Sequence, residues 1–208
     1  MKKEIPMLFS TPMVIALMNG SKTMTRRIVK PQPDENGVSF MPNSPLDWEA
    51  FYKQQWKPWL FDTIDGERIG IFCPYGEVGD LIWVRETFKK SEFTLNGFTY
   101  KALAHSEMPQ KGFKPSIHMP KAAARIWLEI TEIKIERLHD ISEEDAIAEG
   151  TPSDIEIEDK HIRDLLWPPE HFKGIQFKFC SLWCNINGVE SWNENPWVWV
   201  VKFKVIKK

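Results

Sequence analysis

The sequence predicts a single α+β domain, a small mixed β-barrel with short helices at its rim and long insertions between its elements. Three observations predict it. "ARIWLEITEIKIERL" (124–138) and "PWVWVVKFKVI" (196–206) read as two long strands, the first alternating apolar and polar residues. The helix-like stretches "STPMVIALMNG" (10–20) and "ISEEDAIAEG" (141–150) are short and end on glycine. Strands outnumber helices at irregular spacing, with no internal repeat, which suits a rim-helix barrel.

In chain order, Ser10 or Thr11 caps a first helix with Pro12 in its first turn and Gly20 past its end. "KTMTRRIV" (22–29) then reads as a strand stopped by Pro31 and Pro33. Residues 31–70 form a first insertion, rich in proline, asparagine and acids yet holding Trp48, Phe51, Tyr52, Trp56, Trp59 and Phe61, with a short helix expected around 46–56. That is too apolar a composition for disorder. "CPYGEVGDLIWVRETF" (73–88) delivers a buried strand, Leu81 to Val84, through two turns. An irregular second insertion is read over 89–115. After the long strand, Ser142 caps a compact helix with acids in its first turn and Gly150 past its end. A third insertion spans 151–190, helical around 159–166 and 174–186, before the closing strand. One domain therefore covers 1–208.

Composition bounds the function. The apolar fraction of 42%, with 10 Trp and 13 Phe, supports a sizeable core. No apolar run is long enough to cross a bilayer, and the N-terminus lacks the apolar stretch of a secretory signal, so no membrane partner is expected. The 3 cysteines are odd in number and read as reduced thiols of a cytoplasmic protein. Cys180 and Cys184, with His171, raise the thought of zinc. The spacing is loose and no second ligand pair exists, so core cysteines are favoured and neither metal nor cofactor is expected. The net charge of −2 argues against coating long duplex nucleic acid, whereas residues 1–30 carry Lys2, Lys3, Lys22, Arg26, Arg27 and Lys30 against the single acid Glu4. A local basic patch of that kind suits a small anionic ligand or a short single strand.

The patch centres on "GSKTMTRR" (20–27). Lys22 and Thr25 are three apart, which shares a face on a helix and not on a strict strand, so they cooperate only where the chain is still turning after Gly20. A threonine hydroxyl needs a base to become a nucleophile, and a lysine serves as base when burial or nearby cations lower its pKa. Arg26 and Arg27 push that way. The competing reading is a polar strand start with solvated cations. Glu149 bears on the choice, because it sits at the negative end of its helix, where a carboxylate is disfavoured. A cationic neighbour, or a role as general acid, would resolve the conflict; a simple solvent-exposed glutamate also tolerates the position.

"GSKTMTRR", "GEVGDLIWVRETF", "ARIWLEITEIKIERL", "ISEEDAIAEG" and "WVWVVKFK", in this order, resemble the ASCH-domain family, in its larger phage- and prophage-associated branch. The resemblance covers 8–30, 74–88, 116–150 and 191–205, about half the chain. It implies a PUA-like barrel and a cleft associated with RNA or nucleosides. It also implies, by likeness to the small members that remove the acetyl group from N-acetylated cytidine, a metal-independent amidohydrolase. Lys22 would be the base, Thr25 the nucleophile and Glu149 the proton donor to the leaving amine, with Arg26 steadying the oxyanion or binding the base. Long insertions depart from the compact hydrolase pattern.

Other residues expected to line such a cleft are Arg27, Trp83, Arg85, Glu86 and His118. Arg85 either pairs with Glu86 at a strand end or holds a phosphate. Trp83 or Trp192 can offer a ring for base stacking. His118, between apolar residues, is read as a rim histidine; with Lys22 and Arg85 it is also the best set for ribonuclease chemistry. Three functions follow as expectations: a hydrolase acting on an acylated or otherwise modified nucleoside, a non-catalytic module for nucleotides or short single-stranded RNA, and a ribonuclease of the same fold. Oligomeric state is not encoded in any feature read here.

Overall fold

The computed structural model describes residues 2–30, 32, 38–39, 59–62, 68–92, 94–104, 111–152 and 174–206. The chain is mixed α and β. A five-stranded sheet orders β1 (Glu4–Leu8), β6 (Leu81–Arg85), β9 (Trp127–Arg137), β10 (Trp197–Ile206) and β2 (Met24–Ile28). Only the β1–β6 pair is parallel; the other neighbours are antiparallel.

β10 lies next to the edge and is buried on both faces, which its near-continuous apolar run WVWVV requires. Trp199, Val201 and Phe203 enter one core, where α1 (Thr11–Met18) contributes Val14 and Leu17. Val198 and Val200 enter a second core on the opposite face, against α2 (Glu143–Ala148), α3 (Ile175–Asn187) and α4 (Val189–Asn193). The sheet is thus sandwiched between one helix and three. In β9 the inward positions change parity, from Leu128 and Ile130 to Ile133 and Ile135, and the pairing with β10 shifts register between Lys202 and Phe203. An extra residue at Thr131 accounts for both, as a β-bulge does.

Among the described residues the sheet is open rather than a closed barrel. Its edge strands β1 and β2 are not backbone-paired; instead Arg27 Nη2 donates to the Leu8 carbonyl at 2.8 Å, so one side chain spans the two edges. The sheet therefore curls far enough to bring its edges within an arginine's reach.

The segments read as irregular hold sheet of their own. A three-stranded meander, β3 (Val38–Ser39), β4 (Trp59–Asp62) and β5 (Arg68–Ile71), lies in the first insertion. A hairpin of β7 (Phe88–Lys90) and β8 (Phe98–Tyr100) lies in the second, pinned by a small core of Phe88, Tyr100, Met119 and Ala123. Strands of two to four residues are too short to show an alternation. The helix expected around 46–56 and the one around 159–166 lie outside the described residues. Residues 175–187 form α3, which belongs to the second core through Phe179, Cys180, Trp183 and Cys184. Among the described residues no helix is long and apolar enough to cross a membrane.

Candidate functional site

The site forms where α1 and α2 both end against the start of β2. Gly20 leaves α1 at φ +80°, a conformation that costs an L side chain about 1–2 kcal/mol. The turn it makes brings the Lys22 N–H to the Ala16 carbonyl at 3.0 Å. The Thr23 N–H donates to the Ala148 carbonyl at 2.8 Å, and Lys22 forms an isolated bridge with Glu149. Gly150, at φ +73°, lets the two segments touch: a Cβ there would lie 2.8 Å from the Lys22 Cβ and 2.9 Å from that of Ala16.

Lys22 is 0% exposed. Its Nζ donates to Glu149 Oε2 at 2.8 Å and to the Glu149 main-chain carbonyl at 2.7 Å. Glu149 is the C-cap of α2, so this carbonyl is one of those a helix end leaves without a partner. The lysine thus caps the helix and neutralises a carboxylate placed at the wrong end of its dipole. Burial drives the amine below the ordinary lysine value of 10.5. Glu149 pulls it back upward, and Arg27 and Arg26 add to the lowering, which wins.

Arg26 and Arg27 leave β2 on opposite faces, as neighbours in a strand must. Arg26 pairs across with Val200 on the helix-covered face. There its guanidinium meets three carboxylates: Glu136, Asp145 at 2.6 Å and Glu149 at 3.4 Å. It also lies over the Phe179 ring at 5.9 Å. Burial works against its charge, but Glu149, Glu136 and Asp145 overcome that and raise its pKa. Lys134 joins the same network at Glu136 and Asp145. An arginine so engaged has little left for an oxyanion, the part expected of it from sequence.

Arg27 pairs across with Trp199 and Thr25 with Val201, both on the face carrying the α1 core. Besides its bond to Leu8, Arg27 lies over the Phe9 ring at 5.6 Å. Thr25 is 1% exposed, and no hydrogen bond joins its hydroxyl to Lys22 or Glu149. The structure therefore joins Lys22, Glu149 and Arg26 directly, and sets Thr25 and Arg27 side by side on the other face of the same short strand.

The remaining expected residues stand apart from that cluster. Glu86 is 1% exposed and pairs with Arg125 rather than Arg85, accepting from Nε at 2.8 Å and Nη2 at 2.9 Å. Alternation explains this, since Arg85 and Glu86 point to opposite sides of the chain. Arg125 also covers the Tyr100 ring at 4.4 Å. Arg85 donates to the Ile117 carbonyl and lies over Trp83. Trp83 is packed with Leu81 and Trp127, and Trp192 is fully buried, so neither ring stands free for stacking. His118 is exposed on a 3-10 turn, Ser116–His118, with no hydrogen bond to Lys22 or Arg85. Cys180 and Cys184 are core residues of α3, and Cys73 is buried with its thiol pushed up to about 12 by desolvation. His171 lies outside the described residues. Among those described, no group of three His, Cys, Asp or Glu side chains is placed to hold a metal.

Sequence reasoning missed Glu136, Asp145, Lys134 and Arg125. Asp145 and Glu149 are four apart in one helix, a spacing that puts both on one face and would have flagged the pair. Glu136 and Lys134 carry an equivalent signal: two apart in a strand, of opposite sign, on the side away from Ile133 and Ile135. No protein-family model matches the chain, and no curated protein or solved structure gives a significant match to it.

Proposed function

We propose that the chain is an ASCH-type, PUA-like domain of the cytoplasm that hydrolyses an acyl amide on a modified nucleoside, N-acetylcytidine being the type of substrate. One observation carries the reading: a fully buried lysine with a lowered pKa, whose amine makes both of its hydrogen bonds to a single glutamate, three residues from a threonine hydroxyl that has no hydrogen-bond partner among the described residues.

Once it has given up its proton, the Lys22 amine has two N–H bonds and one lone pair. Donating those two N–H bonds to Oε2 and the carbonyl of Glu149 leaves the lone pair free to act as a base. Lys22 takes the Thr25 proton as Oγ1 bonds to the acyl carbon and the carbonyl π pair moves to oxygen. The proton then passes along the 2.8 Å contact to Glu149. When the tetrahedral intermediate collapses, the C–N bond breaks and Glu149 protonates the departing exocyclic amine. Lys22 then takes a proton from water as the water oxygen bonds to the acyl carbon, and returns it to Oγ1 as the ester C–O bond breaks, which restores the hydroxyl and releases the carboxylic acid. The curl of the sheet, with Arg27 bridging its edges, is what supports a PUA-like architecture for the domain.

The test compares purified wild type on N-acetylated cytidine and on unmodified single-stranded RNA. Release of cytidine and acetate without RNA cleavage is the expected result; RNA cleavage alone would replace the reading with a ribonuclease. A second reading, a nucleotide-binding module without catalysis, draws on the missing Thr25–Lys22 hydrogen bond. It predicts that the protein binds cytidine and turns nothing over.

A further inference from the structure

Arg27 differs from the other arginines around the site. Arg26 is held by three carboxylates and Arg125 by Glu86. For Arg27, no carboxylate among the described residues lies within ion-pair distance. Its one protein hydrogen bond, to the Leu8 carbonyl, uses one of the five N–H groups a guanidinium carries. The Leu8 carbonyl and the Phe9 ring, 5.6 Å from the guanidinium carbon, hold the head of Arg27 beside the sheet edge. Arg26 and Arg85 each have an Nε sealed from solvent without a partner; no nitrogen of Arg27 is sealed in that way, so its donors stay reachable. Burial lowers its pKa, opposed by Tyr75 and Glu149. The tyrosine packs on the same core as Phe9.

A partly buried guanidinium that has reachable donors and no carboxylate partner is disposed to form charge-assisted hydrogen bonds with an anionic ligand. Thr25 lies two residues away on the same face of the strand, so the missing anion and the reactive hydroxyl meet the same ligand.

We propose that Arg27 is an anion subsite that takes the phosphate of the ligand, so that the substrate is a nucleotide rather than a free nucleoside. The inference rests on reading the site as one for a modified nucleoside. The fork offers paired N–H donors to two non-bridging phosphate oxygens, a geometry that a lysine cannot reproduce.

The experiment is a calorimetric titration of wild type, Arg27→Gln and Arg27→Lys with cytidine, cytidine 5′-monophosphate and inorganic phosphate, with thermal unfolding to confirm each variant is folded. None of these ligands is turned over, so the result is independent of catalysis. The expected result is that the monophosphate binds wild type at least about tenfold more tightly than cytidine. Arg27→Gln abolishes that preference while cytidine binding persists, and Arg27→Lys restores only part of it. Inorganic phosphate binding that is lost in Arg27→Gln, with no cytidine binding, would uphold the subsite and defeat the nucleoside reading. Equal affinity for cytidine and its monophosphate, or a preference that survives Arg27→Gln in a folded protein, would overturn the proposal.

Discussion

Lys22 Nζ meets Glu149 twice, at the Oε2 of its side chain (2.8 Å) and at its main-chain carbonyl (2.7 Å). One amine therefore closes the α2 helix and occupies the carboxylate beside it. This couples the stability of the fold to the protonation of the site.

Removing Lys22 leaves a buried Glu149 with only the 3.4 Å contact to Arg26 and an uncapped helix carbonyl. Lys22→Met should cost about 3–5 kcal/mol. The double variant Lys22→Met/Glu149→Leu should lose less than the sum of the two single variants by about 1 kcal/mol or more. Urea unfolding of the four proteins gives the cycle; strictly additive losses would show that the pair is not coupled.

Gly150 and Gly20 both have positive φ but differ in their surroundings. Gly150→Ala drives a Cβ into Lys22 and Ala16, whereas a Cβ at Gly20 meets nothing within 4 Å. Gly20→Ala should cost only the conformational strain of about 1–2 kcal/mol. Gly150→Ala should cost about 1–3 kcal/mol beyond that and displace Lys22. Equal shifts in the unfolding midpoint would remove the packing argument.

The Asp145 carboxyl titrates below its ordinary value of 3.8: burial pushes it up, but Arg26, Lys134 and Lys202 more than offset that. The unfolded chain therefore binds this proton first as pH falls. The stability it contributes is fully present above 3.8 and is lost as the pH drops through the lowered folded value. Asp145→Asn should be less stable than wild type near neutrality, with the two converging in acid. A constant gap across the acid range would assign the loss to packing.

If Lys22 is the base, kcat/KM should rise with pH as the amine gives up its proton, with a midpoint below 10.5. Arg27 is one of the cations lowering that value, so Arg27→Gln should move the midpoint upward. A downward or absent shift would separate Arg27 from the base.

Much of this was legible beforehand. The first and second helices, with their closing glycines, lie where Ser10, Gly20, Ser142 and Gly150 put them, and Ser142 does accept the Asp145 N–H at 3.1 Å. The strands at 24–28, 81–85, 127–137 and 197–206 follow from apolar patterning. Even the bulge was written in "EITEIKIE", where the apolar spacing goes from two to three across Ile130 and Ile133. What escaped were non-local facts. The pairing of β1 with β6 joins segments more than seventy residues apart, and no short-range pattern announces it. The choice of Arg125 as partner to Glu86, and the division of labour between Arg26 and Arg27, depend on which face each side chain takes once β2 is an edge strand.

The central claim is that the Thr25 hydroxyl, activated by Lys22, is the nucleophile. It is tested most directly by the rate of acetate release from N-acetylated cytidine in wild type, Thr25→Ser and Thr25→Ala, each shown folded by thermal unfolding. The account predicts turnover by wild type, measurable turnover by the serine variant, and a loss of about 10³-fold or more in the alanine variant. Wild-type turnover that survives Thr25→Ala, or its absence from a folded wild type, would contradict it.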